Sequence, residues 1–243
     1  MGDYEGECWD RAFPEGYGEF EDPIDVARLM AHIEVEDALE PGPADDVEQE
    51  DMAAVAPRTC SPERALGLLT LGNEAFVRGL RQHLGHSSEW RESLIRNGQH
   101  PYAVVVTCSD ARVQPSVIFH ARLGDLFVTR AVGGFVDTAA EASVEYGVGH
   151  LGAPLVVVLG HTHCGLVQAA IDGHADGVVK QVADQVGGML DGETDPRAAE
   201  RLLVGRMMGR LLRNPTVAAL AASGDVEVRG AVYDMASGRV HWM

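Results

Sequence analysis

The chain has 243 residues, 46% of them apolar and 23% charged, with a formal net charge of −18. That length and composition suit one globular domain with a full core, and they exclude a disulfide miniprotein and a binder held to nucleic acid by phosphate contacts. The longest apolar stretches, near 102–106 and 153–159, fall far short of the roughly 20 residues a membrane-spanning helix needs, so no membrane association is expected.

The charge is unevenly placed. Residues 1–57 hold 18 acids against Arg11 and Arg28, a net −16, whereas 58–243 hold 19 acids against 17 bases. Residues 1–60 read as an acidic, largely flexible extension carrying Pro14, Pro23, Pro41, Pro43 and Pro57, too polar to offset its own ordering entropy. Asp22-Pro23 marks a helix start, and Ile24, Ala27, Met30 and Ile33 follow at helical spacing before Pro41-Gly42-Pro43. The spacing predicts a helix over 23–40 that forms when its apolar face finds a surface, either the partner subunit or another protein partner. Met1 to Glu7 has neither the basic nor the apolar region of a secretory signal, so the chain is expected in the cytoplasm. In that reducing compartment Cys8, Cys60, Cys108 and Cys164 are metal ligands, nucleophiles or bystanders rather than disulfides. Cys8 and Cys60 lie in the acidic stretch with no partner pattern and are read as bystanders.

Residues 61–243 form the second unit. Ser61-Pro62-Glu63-Arg64 opens a helix with Leu66, Leu69, Phe76 and Leu80 near one face. After Gly98, the runs 102–107, 126–129 and 155–159 are short, apolar and rich in β-branched residues, as in strands covered on both faces. The intervals between them fit helices, one over 138–151 and another after Cys164. The region 176–222 reads as helical, with a start near Pro196 and a break at Asn214-Pro215, and 226–242 alternate as a closing strand pair around Ser237-Gly238. The expected fold is a three-layer α/β domain: a mostly parallel central sheet with an antiparallel edge, flanked by helices.

Two of these strands end in potential metal ligands, and ligands bind at the carboxyl ends of strands in open α/β sheets. One runs into Cys108-Ser109-Asp110-Ala111-Arg112, the other into Gly160-His161-Thr162-His163-Cys164-Gly165. Cys108, His161 and Cys164 make a Cys₂His set suited to tetrahedral zinc with one open position. A cysteine at a buried strand end is more often a small hydrophobe. Two strand ends, one compatible ligand set and an adjacent carboxylate and guanidinium raise this pair above that default. His163 reads as an exposed imidazole outside the ligand set.

Cys108-x-Asp110-x-Arg112 followed by His161-x-x-Cys164-Gly165 resembles the β-class carbonic anhydrases, with supporting matches at Gly72-Asn73-Glu74-Ala75-Phe76, Gly124-Asp125-Leu126-Phe127-Val128 and Ser143-Val144-Glu145-Tyr146. The resemblance covers about 62–243 and implies one zinc per chain on Cys108, His161 and Cys164, with CO₂ hydrated to bicarbonate and a proton. It implies that Asp110, fixed by Arg112, accepts a hydrogen bond from the nucleophile, and that Asp110 becomes a fourth, inhibitory ligand when the pair breaks. It further implies substrate contacts from Gln99, Phe127, Val132, Tyr146 and Gly165, the pattern of the plant-like subgroup, and homodimers with the site at the subunit boundary or larger assemblies of them. Val105 and Thr107 stand where another subgroup has the Trp and Gly of a noncatalytic bicarbonate site. Arg130-Ala131-Val132-Gly133-Gly134 replaces the usual Arg-Asn-x-x-Asn, removing two amides that would order the loop. The same ligands would serve a hydrolase of COS or CS₂, or a noncatalytic zinc-binding interaction protein.

Overall fold

The computed structural model describes residues 60–80, 82 and 85–243; the expected 23–40 helix lies outside them. In chain order these residues form α1 (Pro62–Val77), α2 (Ser88–Asn97), β1 (Ala103–Cys108), α3 (Pro115–Ile118), β2 (Leu126–Ala131), a 3₁₀ turn over Val132–Gly134, α4 (Thr138–Gly149) and β3 (Leu155–His161). There follow α5 (Gly165–Asp172), α6 (Gly177–Gly187), α7 (Pro196–Leu211), α8 (Pro215–Ser223), β4 (Glu227–Tyr233) and β5 (Val240–Trp242).

Helix boundaries follow local chemistry. Ser61, Ser87, Asp137, Asp195 and Asn214 cap α1, α2, α4, α7 and α8 by accepting a backbone N–H with their side chains, and proline occupies the first turn of α1, α7 and α8. The sheet runs in the order β2-β1-β3-β4-β5. β2, β1, β3 and β4 are parallel, and β5 returns antiparallel to β4, as the alternation around Ser237-Gly238 predicts.

Alternate residues of the central strands enter two cores. Val104, Val106, Val156 and Val158 face the side covered by α4 to α8, while Ala103, Val105, Leu155, Val157 and Leu159 pack with Ala65 and Leu69 of α1 and Ile118 of α3. β1 is buried along its whole length and β3 nearly so, which is why both read as continuous apolar runs. Thr107 reconciles its hydroxyl with full burial by donating to the Leu159 carbonyl at 2.8 Å. The consequence for function is placement: β1 and β3 are direct neighbours, so Cys108 and His161 emerge side by side at the same end of the sheet. None of the described helices is long and apolar enough to cross a membrane.

Candidate metal centre

Cys108 closes β1, His161 closes β3, and Cys164 is the N-cap of α5 three residues later. All three are buried, and one ligand atom from each lies within 4.8 Å of the others, compact enough to converge on a single ion. The Cys108 sulfur accepts the backbone N–H groups of Gly133 at 3.2 Å and Asp110 at 3.4 Å. Its thiol pKa is pulled down, chiefly by the hydrogen bond with Cys164 and against its burial. The bond with Cys108 and burial push the Cys164 thiol up, so Cys108 ionises first.

His161 supplies the test of fit. Its Nδ1 lies 3.0 Å from the Thr162 carbonyl oxygen, which fixes Nδ1 as the protonated nitrogen and leaves Nε2 with a free lone pair. Nε2 is buried without a hydrogen-bond partner. A buried lone pair left unmatched costs free energy, and a cation beside two thiols satisfies it. Two thiolates and an imidazole are the donor types zinc takes.

Asp110 stands outside this triad, held by Arg112. Oδ1 accepts from Arg112 Nε and from its backbone N–H, both at 2.9 Å, and Oδ2 accepts from Nη2 at 2.7 Å. These bonds hold the Asp110 carboxyl far below the usual carboxylate range.

The family model described as carbonic anhydrase matches residues 103–240. Carbonic anhydrase 2 of Mycobacterium tuberculosis is 37% identical over 190 residues, covering 74% of this chain and 91% of its own length. The carbonic anhydrase of Mycolicibacterium smegmatis is 35% identical over 191 residues, covering 74% and 92%. Among solved structures, a tetrameric β-carbonic anhydrase of Sordaria macrospora aligns with a TM-score of 0.59 at 28% identity, covering 65% of this chain and 88% of the other. A Coccomyxa β-carbonic anhydrase in complex with acetazolamide aligns with a TM-score of 0.58, also at 28% identity, covering 64% and 78%.

The chain belongs to the β-carbonic anhydrase family. It is a carbonic anhydrase whose Cys-His-Cys centre suits zinc-dependent hydration of CO₂ to bicarbonate. Of the expected substrate-contact residues of this carbonic anhydrase, the fold brings two to the metal centre. Val132 follows β2 directly beside Gly133, and Gly165 opens α5 beside Cys164. Phe127 pairs with Val104, four residues before Cys108 on β1, and so lies roughly 13 Å down the strand at about 3.3 Å per residue. Tyr146 of α4 packs on Phe127 with ring centroids 6.0 Å apart, and Gln99 precedes β1. These three therefore sit toward the other end of the strands within one chain.

Glu200 has no place in the sequence reading. It is only 4% exposed, and its Oε1 accepts the Cys164 N–H at 3.1 Å, bracing the turn from His161 to Cys164 in which exposed His163 adopts a φ of +59°. Burial raises its pKa, the N–H bonds opposing. A signal existed: Glu200 shares a face of α7 with Leu203, Val204 and Met207, and a carboxylate on an apolar helix face needs a partner inside.

Proposed function

We propose that Cys108, His161 and Cys164 hold the zinc and that Asp110 and Arg112 orient the nucleophile for addition to CO₂. The observation that carries this reading is the orphaned, buried His161 Nε2 between two thiols, with a guanidinium-held carboxylate on the adjoining loop. When bound, zinc lowers the pKa of a coordinated water from 15.7 to about 7 and so supplies hydroxide at neutral pH. Asp110 accepts a hydrogen bond from the attacking oxygen and turns its lone pair to the substrate. Arg112 takes both carboxylate oxygens and keeps Asp110 from drifting into the fourth ligand position. A noncatalytic zinc site has no use for this pair.

Val132 and Gly165 border the CO₂ pocket of the same chain. Gln99, Phe127 and Tyr146 complete it from a second copy, in a homodimer or an assembly of dimers with the plant-like pocket. Supporting this, Val128 and Tyr146 are exposed and β2 pairs on one side only among the described residues. The free thiols of Cys108 and Cys164 suit a reducing compartment, which we take to be the cytoplasm.

The test is stopped-flow CO₂ hydration on zinc-replete protein. Where chemistry limits, the rate should rise from about pH 6 to about pH 9, because the metal's water ionises in that range. The hydrogen bonds from Arg112 keep Asp110 ionised throughout, so it contributes nothing to the slope. A flat profile would contradict this reading.

Residues 61–243 are proposed as the catalytic domain and 1–60 as a separable acidic extension, since the family match over 103–240 and every predicted metal ligand and substrate contact lie beyond residue 60. Deleting 1–57 should leave zinc content unchanged and kcat within about twofold, while capture of a partner or assembly beyond the dimer changes. A collapse of kcat in a truncated, still dimeric protein would show that the extension completes the site.

A further inference from the structure

We infer that Arg130 is a positioning residue that sets where the Asp110 carboxylate stands against the metal centre. Its side chain leaves β2 and grips the loop after β1 in three places. Nε donates to the Cys108 carbonyl at 3.0 Å, Nη2 to the Asp110 carbonyl at 2.6 Å, and Nη1 to the side-chain oxygen of Gln114 at 3.0 Å. The two backbone carbonyls flank Ser109, so one rigid planar group spans the link between a metal ligand and the catalytic carboxylate. Among the described residues no other side chain donates to either carbonyl.

The far end of the loop is tied as well. Gln114 donates its Nε2 to the Ala111 carbonyl at 3.3 Å, and the Ser109 N–H donates to the Ala131 carbonyl at 2.9 Å. Asp110 is thereby held from two sides: Arg112 takes its carboxylate and Arg130 its backbone. Gly134, at φ +65°, lies close to β1, where a Cβ would meet the Thr107 carbonyl carbon at 3.3 Å.

The role is positional because the fold does not depend on it. β1 and β2 pair through their backbones over the full register from Ala103↔Leu126 to Cys108↔Ala131, and the loop's other anchor, α3, is buried through Pro115 and Ile118. Loss of the guanidinium leaves both in place and frees only the segment between them.

This inference rests on the proposed role of Asp110, and the experiment separates the two. Full-length, zinc-loaded Arg130→Met, Asp110→Asn and the double variant are compared by stopped-flow CO₂ hydration at raised enzyme concentration, alongside zinc content and thermal midpoint. Arg130→Met should keep one zinc per chain and its midpoint, hold KM within about twofold, and lose kcat by about tenfold or more. Arg130→Lys, which reaches one carbonyl but not both, should recover only part. In the Asp110→Asn background the added loss from Arg130→Met should shrink below about twofold, because the residue it positions has already gone. Multiplying losses in the double variant, wild-type kcat in Arg130→Met, or loss of its zinc would each overturn the inference. Wild-type activity in Asp110→Asn would instead overturn the reading of Asp110 itself.

Discussion

Cys108→Ser and Cys164→Ser are each expected to lose both the metal and the activity, with zinc below about a tenth of an equivalent after dialysis against a chelator and hydration down at least about 10³-fold. A serine hydroxyl is not ionised at neutral pH and is a poor zinc donor, whereas a thiolate is a good one. With Cys108, His161 and Cys164 as the proposed ligands, removing one cysteine leaves a His-Cys pair with one thiolate charge in place of two. The local structure gives no substitute: Asp110 is engaged by Arg112, and Glu200 by the Cys164 N–H. Because both cysteines are buried and similar to serine in size, the fold should persist, which circular dichroism can verify beside metal analysis. Full zinc occupancy in either variant would sink the ligand assignment.

The second large effect should come with no loss of metal. Asp110→Asn keeps the shape but removes the charge and one acceptor, and Arg112→Ala removes both side-chain hydrogen bonds that steer the carboxylate, leaving only the one from the backbone N–H at that position. Each should retain one zinc per chain and lose about 10²-fold in kcat, the scale at which outer partners of a metal site act. The two should not add, since each disables the same oriented acceptor. Arg112→Ala should also let Asp110 approach the metal, and high pH should then restore part of the rate, because hydroxide competes with the carboxylate. Near-wild-type hydration in both variants would make the pair merely structural, a role its partial exposure would otherwise allow.

Much of this was legible in the chain because burial on both faces writes β1 and β3 as unbroken apolar runs, and because their ends carry residues with no use in a plain core. Cap and proline chemistry likewise mark the start of α1 at Ser61-Pro62 and of α7 near Pro196, whereas Asn214-Pro215, which reads as a break, is the capped start of α8. What escaped has physical reasons. Helix α2 has no buried residue; it exists through the Ser87 cap and Trp90, whose indole donates to the Leu123 carbonyl, and such a helix has no apolar stripe to read. Glu200 escaped because a lone acid in an arginine-rich helix looks solvated until its neighbours are placed. The grouping of Gln99, Phe127 and Tyr146 away from the metal centre follows from strand register, which a list of matched residues does not contain.

The position of the proposed ligands, two on paired strands and one at the start of α5, also bears on how the protein acquires its metal. In the unfolded chain only His161 and Cys164 are neighbours; Cys108 is separated from them by α3, β2 and α4. The third ligand joins when β1 zips onto β3 at the centre of the sheet. Zinc therefore binds the folded form much more tightly than the nascent one, and by mass action each increment of binding is returned as an increment of stability. A chain arrested before the central pairing cannot hoard the ion, and one that has completed it is locked shut by the same atom that makes it active.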